Sequence, residues 1–321
     1  MPIRLLLLMG LLARAASAQA TPLPSAPGRL IDVGGRKLHV LCSGEGQPTI
    51  VLEAGASSFA IDWTLVQREV ARGNRTCSYD RAGMGWSDPT TPANRASSAH
   101  DLHTLLERAG EKGPFVLVGA SRGGLLVRDY LRLYPEHVAG FVFVDPSTED
   151  RLFTMLNGQG VAIAELTAEQ LATTFPTRTI PIPRRRPQQG APFDKLPPDL
   201  YQLRIQLDEQ LIASLPDSVA PDVVATGQES ERALLAGLLA TRREPNPLGS
   251  RPTVVLTRGD ERNDGREAAH AALARLSTNS RHSVIAGAGH EIHLFEPSAV
   301  VTAIADVVRA VREKSLLRAR P

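Results

Sequence analysis

The stretch Val118-Gly119-Ala120-Ser121-Arg122-Gly123-Gly124 decides how this chain is read. It holds the pattern G-x-S-x-G between an apolar run, Phe115-Val116-Leu117-Val118, and a segment of helical spacing from about Arg122 to Tyr134. Four apolar residues ending at a glycine suit a strand buried on both faces. The pattern predicts a strand, a sharp turn with Ser121 at its apex, and then a helix. Gly119 and Gly123 leave room for that turn and for neighbouring backbone. Ser121 Oγ is expected at the C-terminal edge of a sheet. The backbone N–H of Arg122 is expected at a helix N-terminus, where developing negative charge is favoured. Read alone, the same residues would also suit a helix-capping serine after a glycine turn.

On both sides of this turn short apolar strands alternate with helices. Upstream, segments at about 29–33 and 36–42 flank Gly34-Gly35 as a β-hairpin. Thr49 to Glu53 reads as a strand, 62–71 as a helix and Thr76 to Tyr79 as a strand. That strand runs into the glycine-rich loop Asp80-Arg81-Ala82-Gly83-Met84-Gly85-Trp86-Ser87. Ser98 to Arg108 puts Leu102, Leu105 and Leu106 on one side of a helix. Downstream, Val138 to Val144 is the next strand, and the pattern returns at Thr253 to Leu256. A helix at about 266–276, a strand at Ser283 to Ile285 and a helix at about 298–314 complete it. The last helix gathers Val300, Ile304, Val307, Val308 and Val311 on one broad apolar face. This alternation predicts an α/β fold, a mostly parallel sheet covered on both faces. From about Pro146 to Gly249 no strand is evident. Helical stretches fall at roughly 166–174, 198–214 and 227–241, with a Pro- and Arg-rich loop, 181–190, between the first two. The chain thus divides into a core, 21–145 and 250–321, and a helical cap, 146–249.

A serine nucleophile needs a base, and the base needs an orienter. Gly287-Ala288-Gly289-His290 follows the last expected strand and puts His290 on a loop. Asp260 follows the Thr253 to Leu256 strand in the loop Thr257-Arg258-Gly259-Asp260. Ser121, Asp260 and His290 then stand in the chain order nucleophile, acid, base. The expected roles are Ser121 as nucleophile, His290 as general base and then acid, and Asp260 as orienter. Rival acids are Asp145, at the end of the strand after the nucleophile helix, and Glu53. The loop Glu53-Ala54-Gly55-Ala56-Ser57 is expected to supply a second oxyanion donor, the N–H of Ala56, to partner that of Arg122.

Taken together, these motifs resemble the α/β-hydrolase superfamily, and most closely its single-domain, esterase-like branch with a helical cap. The resemblance covers about residues 29–145 and 250–312. It rests on Glu53-Ala54-Gly55, the Asp80 to Ser87 loop, Gly119 to Gly124, Gly259-Asp260 and Gly289-His290. It implies the α/β-hydrolase fold, with a cap that shapes the acyl or alcohol pocket. Many relatives carry His-Gly before the oxyanion donor, where this chain has Ala54-Gly55. Relatives that open epoxides or displace halide carry aspartate at the nucleophile position, so Ser121 argues against both chemistries. In the resembling fold the second hairpin strand lies close to the strand carrying Cys77, so a Cys42–Cys77 disulfide is expected. The alternative is two buried free thiols.

Other motifs lead elsewhere. Gly83-x-Gly85 does not open a dinucleotide fingerprint, because Asp88 stands where the third glycine belongs. His290-Glu291-Ile292-His293 has H-E-x-H spacing, and H-E-x-x-H is what puts two histidines on one helical face. No metal and no cofactor are expected, and His293 reads as a packing or supporting residue. Arg184-Arg185-Arg186 reads as a solvated cap loop.

The bulk properties bound the answer. The 321 residues are 42% apolar and 22% charged, a globular composition. The formal charge of +2, from 36 basic and 34 acidic residues, gives no reason to expect nucleic acid as a partner. Two cysteines are too few for a disulfide-dense scaffold or a four-cysteine zinc site. Met1 to Arg4, the apolar run Leu5 to Ala13 and the small residues Ala16-Ser17-Ala18-Gln19-Ala20 read as an export signal. Cleavage is expected after Ala20, or else after Ala18. Removing residues 1–20 takes away Arg4 and Arg14 and no acid, leaving both charge counts equal at 34. The apolar run is too short to span a bilayer, and no stable membrane span is expected. The expected function is an exported serine hydrolase, secreted or periplasmic, acting on a small-molecule carboxylic ester through an acyl-enzyme. The alternatives are an acyltransferase using the same residues and a non-catalytic binding protein on the same fold.

Overall fold

In the computed structural model, which describes residues 23–90, 96–156, 159–174, 180–181, 185–215, 218–219, 231–260 and 265–318, the first element among the described residues is an antiparallel hairpin. Strand β1 (Arg29–Asp32) pairs with β2 (Lys37–Ser43). Gly34 and Gly35 both have positive φ, the conformation the tight turn between them demands. β3 (Ile50–Glu53), α1 (Thr64–Val70), β4 (Thr76–Tyr79), α2 (Ser98–Ala109), β5 (Phe115–Ala120), α3 (Gly123–Leu133) and β6 (Val138–Val144) follow. An insertion then contributes β7 (Phe153–Leu156), β8 (Gln159–Ala162), α4 (Ala168–Thr174), β9 (Ile180–Pro181), α5 (Pro198–Ser214), β10 (Ser218–Val219) and α6 (Glu231–Arg242). β11 (Thr253–Gly259), α7 (Arg266–Ala274), β12 (Ser280–Ala286), α8 (Ile292–Phe295) and α9 (Pro297–Glu313) complete the core.

The central sheet has eight strands in the order β1-β2-β4-β3-β5-β6-β11-β12. The pairs β1–β2 and β2–β4 are antiparallel, and every later neighbour is parallel. Side chains alternate between the faces of each strand. Val116 and Val118 of β5 join Ile50, Leu52, Val142, Val254 and the apolar faces of α1 and α9. Phe115 and Leu117 join Val51, Phe141, Phe143, Val255 and residues of α2, α3 and α7. Both faces are covered, which is why the parallel strands read as unbroken apolar runs. Full burial of each such valine or leucine contributes about 1.5–3 kcal/mol. Val300, Ile304, Val307 and Val308 of α9 are buried as the sequence pattern requires.

Among the described residues no strand of the insertion joins the central sheet. The expectation that this segment lacks strands is corrected, since β7 pairs with β8 and β9 with β10, both antiparallel. Each strand has four residues or two, too short for a periodic signal. The three expected helices are present as α4, α5 and α6. α6 seats Leu234 and Leu238 on Leu125 and Leu126 of α3. α5 brings Arg204, fully buried, to Asp62 of the core at 3.3 Å and to its own Asp208 at 3.7 Å. The Arg204 guanidinium lies 3.7 Å from the Phe193 ring centroid, a cation–π contact. Burial pushes the Asp62 carboxyl up to about 6, against the opposing charge of Arg204. Of the arginine run at 184–186, Arg185 is paired with Asp208 at 2.5 and 2.8 Å, Arg186 is exposed, and Arg184 lies outside the described residues.

Cys42 of β2 stands directly opposite Cys77 of β4, and the two are joined in a disulfide with 4.0 Å between their Cα atoms. The export signal expected at 1–20 lies outside the described residues. Among the described residues no helix is long and apolar enough to cross a membrane.

Candidate active site

Ser121 sits between β5 and α3 with φ +51°, a left-handed conformation that costs a non-glycine residue of order 1–3 kcal/mol. Its N–H donates to the Val144 carbonyl at 3.1 Å, and its own carbonyl accepts from Gly124 and Ser147. The flanking glycines are required by close backbone approach. A Cβ on Gly119 would lie 2.6 Å from the Gly123 carbonyl oxygen, and one on Gly123 would lie 2.5 Å from that of Glu53. The turn expected from G-x-S-x-G is therefore present, with the serine at its apex.

His290 lies in the loop after β12, and its Nδ1 donates to Asp145 Oδ2 at 2.5 Å. This is a correction to the expected orienter. Asp260 is 28% exposed and pairs instead with Arg258 Nε at 3.2 Å. The reason lies in strand length and register. Ala120 of β5 pairs with Val144 of β6, and Val144 with Leu256 of β11. Asp145 is therefore level with Ser121 on the adjacent strand. β11 continues three residues past Leu256 to Gly259, which carries Asp260 beyond that level. Asp145 is fully buried, has φ +40°, and donates its N–H to the Leu256 carbonyl at 2.8 Å. Its Oδ1 accepts from the Arg258 N–H at 3.2 Å and its Oδ2 from Arg266 Nη1 at 3.1 Å. Burial opposes ionisation of Asp145. The hydrogen bond and charge of His290, the charge of Arg266 and the Arg258 N–H together outweigh that, holding its carboxyl below the usual range. With Nδ1 committed to a carboxylate, Nε2 is the ring nitrogen left for proton exchange.

Glu53, the other rival acid, is buried against Arg81 Nη1 at 2.6 Å and accepts from the Tyr79 hydroxyl. Arg81 also takes the carbonyls of Ala54 at 2.7 Å and Gly55 at 2.5 Å. In a trans peptide the N–H points opposite to the C=O. Binding the Gly55 carbonyl to Arg81 thus turns the Ala56 N–H away from Arg81. This tether carried no signal in the sequence, since Arg81 read only as part of a glycine-rich loop. The same loop is held by Asp80, which accepts from Ala60 N–H at 2.8 Å and bonds His39 Nδ1 at 2.7 Å. His293 is buried, its ring 4.5 Å from that of Trp63, and burial first, with the charges of His290 and Arg204, lowers its pKa to about 3.

Two cavities meet at Ser121 and His290. One, of about 310 Å³, is also lined by Asp145, Thr148, Arg151, Arg258 and Arg266. The other, of about 190 Å³, is lined by Gly55, Ala56, Gln188 and Glu291 among others. The N–H groups of Ala56 and Arg122 were the expected oxyanion donors. Ala56 borders the second cavity, and Arg122 follows Ser121 in right-handed helical conformation as α3 begins.

Comparison with known proteins bears on this arrangement. The chain is 37% identical over 131 residues to "Probable transporter efuK" of Hormonema carpetanum, a match covering 37% of this chain and 18% of that protein. It spans less than half the length of each curated relative it matches. Among solved structures it is similar to a thermophilic esterase from Thermogutta terrifontis, with a TM-score of 0.52 at 21% identity over 86% of this chain and 94% of that one. It is also similar to a meta-cleavage product hydrolase from Pseudomonas fluorescens IP01, with a TM-score of 0.58 at 16% identity over 90% and 99%. At such identities the likeness concerns the fold. The family model described as alpha/beta hydrolase fold matches residues 47–297, and the chain belongs to that family.

Proposed function

We propose that this chain is a serine hydrolase that cleaves carboxylic esters through an acyl-enzyme. Ser121 Oγ attacks the ester carbonyl as His290 Nε2 takes its proton. The N–H groups of Ala56 and Arg122 stabilise the tetrahedral oxyanion, each worth about 3 kcal/mol in such sites. His290 then gives the proton to the leaving alcohol. A water, deprotonated by His290, attacks the acyl-enzyme and releases the acid and Ser121. Asp145 holds His290 in the tautomer with Nδ1 protonated and stabilises the imidazolium that forms. The steps call on no cofactor or metal. Residues 146–249 act as the cap that bounds the substrate, and the disulfide supports export to a secreted or periplasmic location.

The observation that carries this reading is the 2.5 Å hydrogen bond of His290 to buried Asp145, on the wall of a cavity that Ser121 also lines. Labelling with a fluorophosphonate probe tests it. Covalent labelling of the wild type, lost in Ser121→Ala, is expected. A folded wild-type protein that takes no label and turns over no ester refutes it. Product analysis with competing alcohols separates hydrolysis from acyl transfer.

A further inference from the structure

We infer that the 310 Å³ cavity beside Ser121 is an anion-binding subsite, so that the ester taken here carries a carboxylate or similar small oxyanion on the part lodged in it. The inference deepens the proposed reaction and rests on Ser121 as its nucleophile. Three guanidinium groups, Arg151, Arg258 and Arg266, line this cavity, and among the described residues lining it Asp145 is the one carboxylate. Counting Asp260 beside Arg258 still leaves the positive side ahead.

The arginines are anchored. Arg266 Nη1 donates to Asp145, the Arg258 Nε stands 3.8 Å from Asp145 and 3.2 Å from Asp260, and Arg151 also has protein partners. A guanidinium carries five N–H donors, so it can serve a buried carboxylate and a ligand together. Anchoring removes part of the ordering cost of binding. Thr148 adds a second sign. It is fully buried, lines the same cavity, and its Oγ1 has no hydrogen-bond partner among the described residues. A buried hydroxyl left unpaired is unfavourable unless a ligand meets it. The smaller cavity is different in charge. Among the described residues it has no arginine or lysine on its wall, and it includes Glu291. The two sides of the reacting carbonyl therefore face walls of different sign, which orients an ester with one charged arm.

The test uses two matched pairs of ligands on Ser121→Ala protein, which cannot form the acyl-enzyme. Monomethyl succinate is compared with methyl butyrate, and acetoxyacetate with propyl acetate, by ligand-observed NMR titration. The anionic member of at least one pair is expected to bind about tenfold more tightly. That preference is expected to weaken with added salt and to fall in Arg151→Gln and in Thr148→Val, each made on the Ser121→Ala background. Equal affinity within both pairs, or a preference that survives both substitutions, overturns the subsite. Thermal melts identify a variant that has not folded, and the other substitution then decides. Fluorophosphonate labelling of the wild type reports the nucleophile separately. Labelling without any anion preference leaves Ser121 in its role and overturns the subsite alone.

Discussion

Asp145→Asn removes one charge and one acceptor from a position where every neighbouring donor is aimed at a carboxylate. His290 Nδ1 lies 2.5 Å from Oδ2, Arg266 Nη1 3.1 Å from the same oxygen, and the Arg258 N–H 3.2 Å from Oδ1. An amide offers one acceptor oxygen and one NH2 group. If its oxygen keeps the Arg258 N–H, its NH2 faces His290 and Arg266. The imidazole must then accept at Nδ1 and carry its proton on Nε2, where it cannot take one from Ser121. If the amide is reversed, its NH2 meets the Arg258 N–H, donor against donor, at a cost of about 1–3 kcal/mol. Loss of the working tautomer dominates, and kcat is expected to fall about 10⁴-fold, as for the equivalent change in other serine triads. Asp260→Asn is the control, because Asp260 is 28% exposed and pairs with Arg258. The pair is partly buried, and Asp260 does not reach the hydrogen bond that sets the His290 tautomer, so kcat/KM should stay within about threefold. The assay is p-nitrophenyl ester hydrolysis by both variants and wild type, with thermal melts to confirm folding. A loss of about a hundredfold in Asp260→Asn, with Asp145→Asn within about tenfold of wild type, would refute the reasoning.

Three further outcomes follow from the packing. Replacing Cys42 and Cys77 by serine frees a loop with a sequence separation of 35, and chain entropy puts the loss at about 4 kcal/mol. Chemical denaturation of oxidised wild type and the double variant checks it, and equal midpoints would contradict it. Arg204→Leu leaves Asp62 buried without its partner at 3.3 Å, a loss of about 3–5 kcal/mol. Adding Asp62→Asn should restore part of this in a double-mutant cycle. The third outcome concerns pH. Burial lowers His270 to about 4, and its neutral form suits its partners, with Nε2 donating to the Pro146 carbonyl at 2.8 Å and Nδ1 accepting from Thr257 at 2.7 Å. Between pH 6.5 and 4 the unfolded chain binds this proton and the folded one does not, so His270 removes about 3 kcal/mol of stability as pH falls. Asp62, raised to about 6, is protonated in the folded chain first and adds stability as pH falls through the same range. Asp62→Asn should therefore steepen the acid-side loss between pH 6 and 4, and an unchanged slope in denaturation midpoints would contradict that.

The parts of the fold that the sequence made legible are those where burial is two-sided. β4 and β6 have the expected bounds because every position must be apolar or small enough to pack. β12 runs from Ser280, earlier than expected, because Ser280, Arg281 and His282 lie on an edge strand where backbone pairing does not demand apolar side chains. The places of Ser121, on the turn after β5, and of His290, on the loop after β12, follow from local motifs, and the structure has them there. The choice between Asp145 and Asp260 does not. Both fall between serine and histidine in the chain and both follow a strand. What separates them is which strand adjoins β5 and how far β11 continues, which are properties of the sheet. The facing of Cys42 and Cys77 is likewise a matter of register, invisible in either strand alone.

The oxyanion donor proposed at Ala56 is a main-chain group, so the side chain at that position would carry none of its chemistry. What fixes its direction is Arg81, a residue 25 positions along the chain. The loop should accordingly tolerate exchange of Ala54 or Ala56 for other small residues, while Arg81 tolerates none, since lysine cannot span the same carbonyls with a planar fork. Relatives that share this device would then be recognised by a distant arginine rather than by the letters of the loop itself.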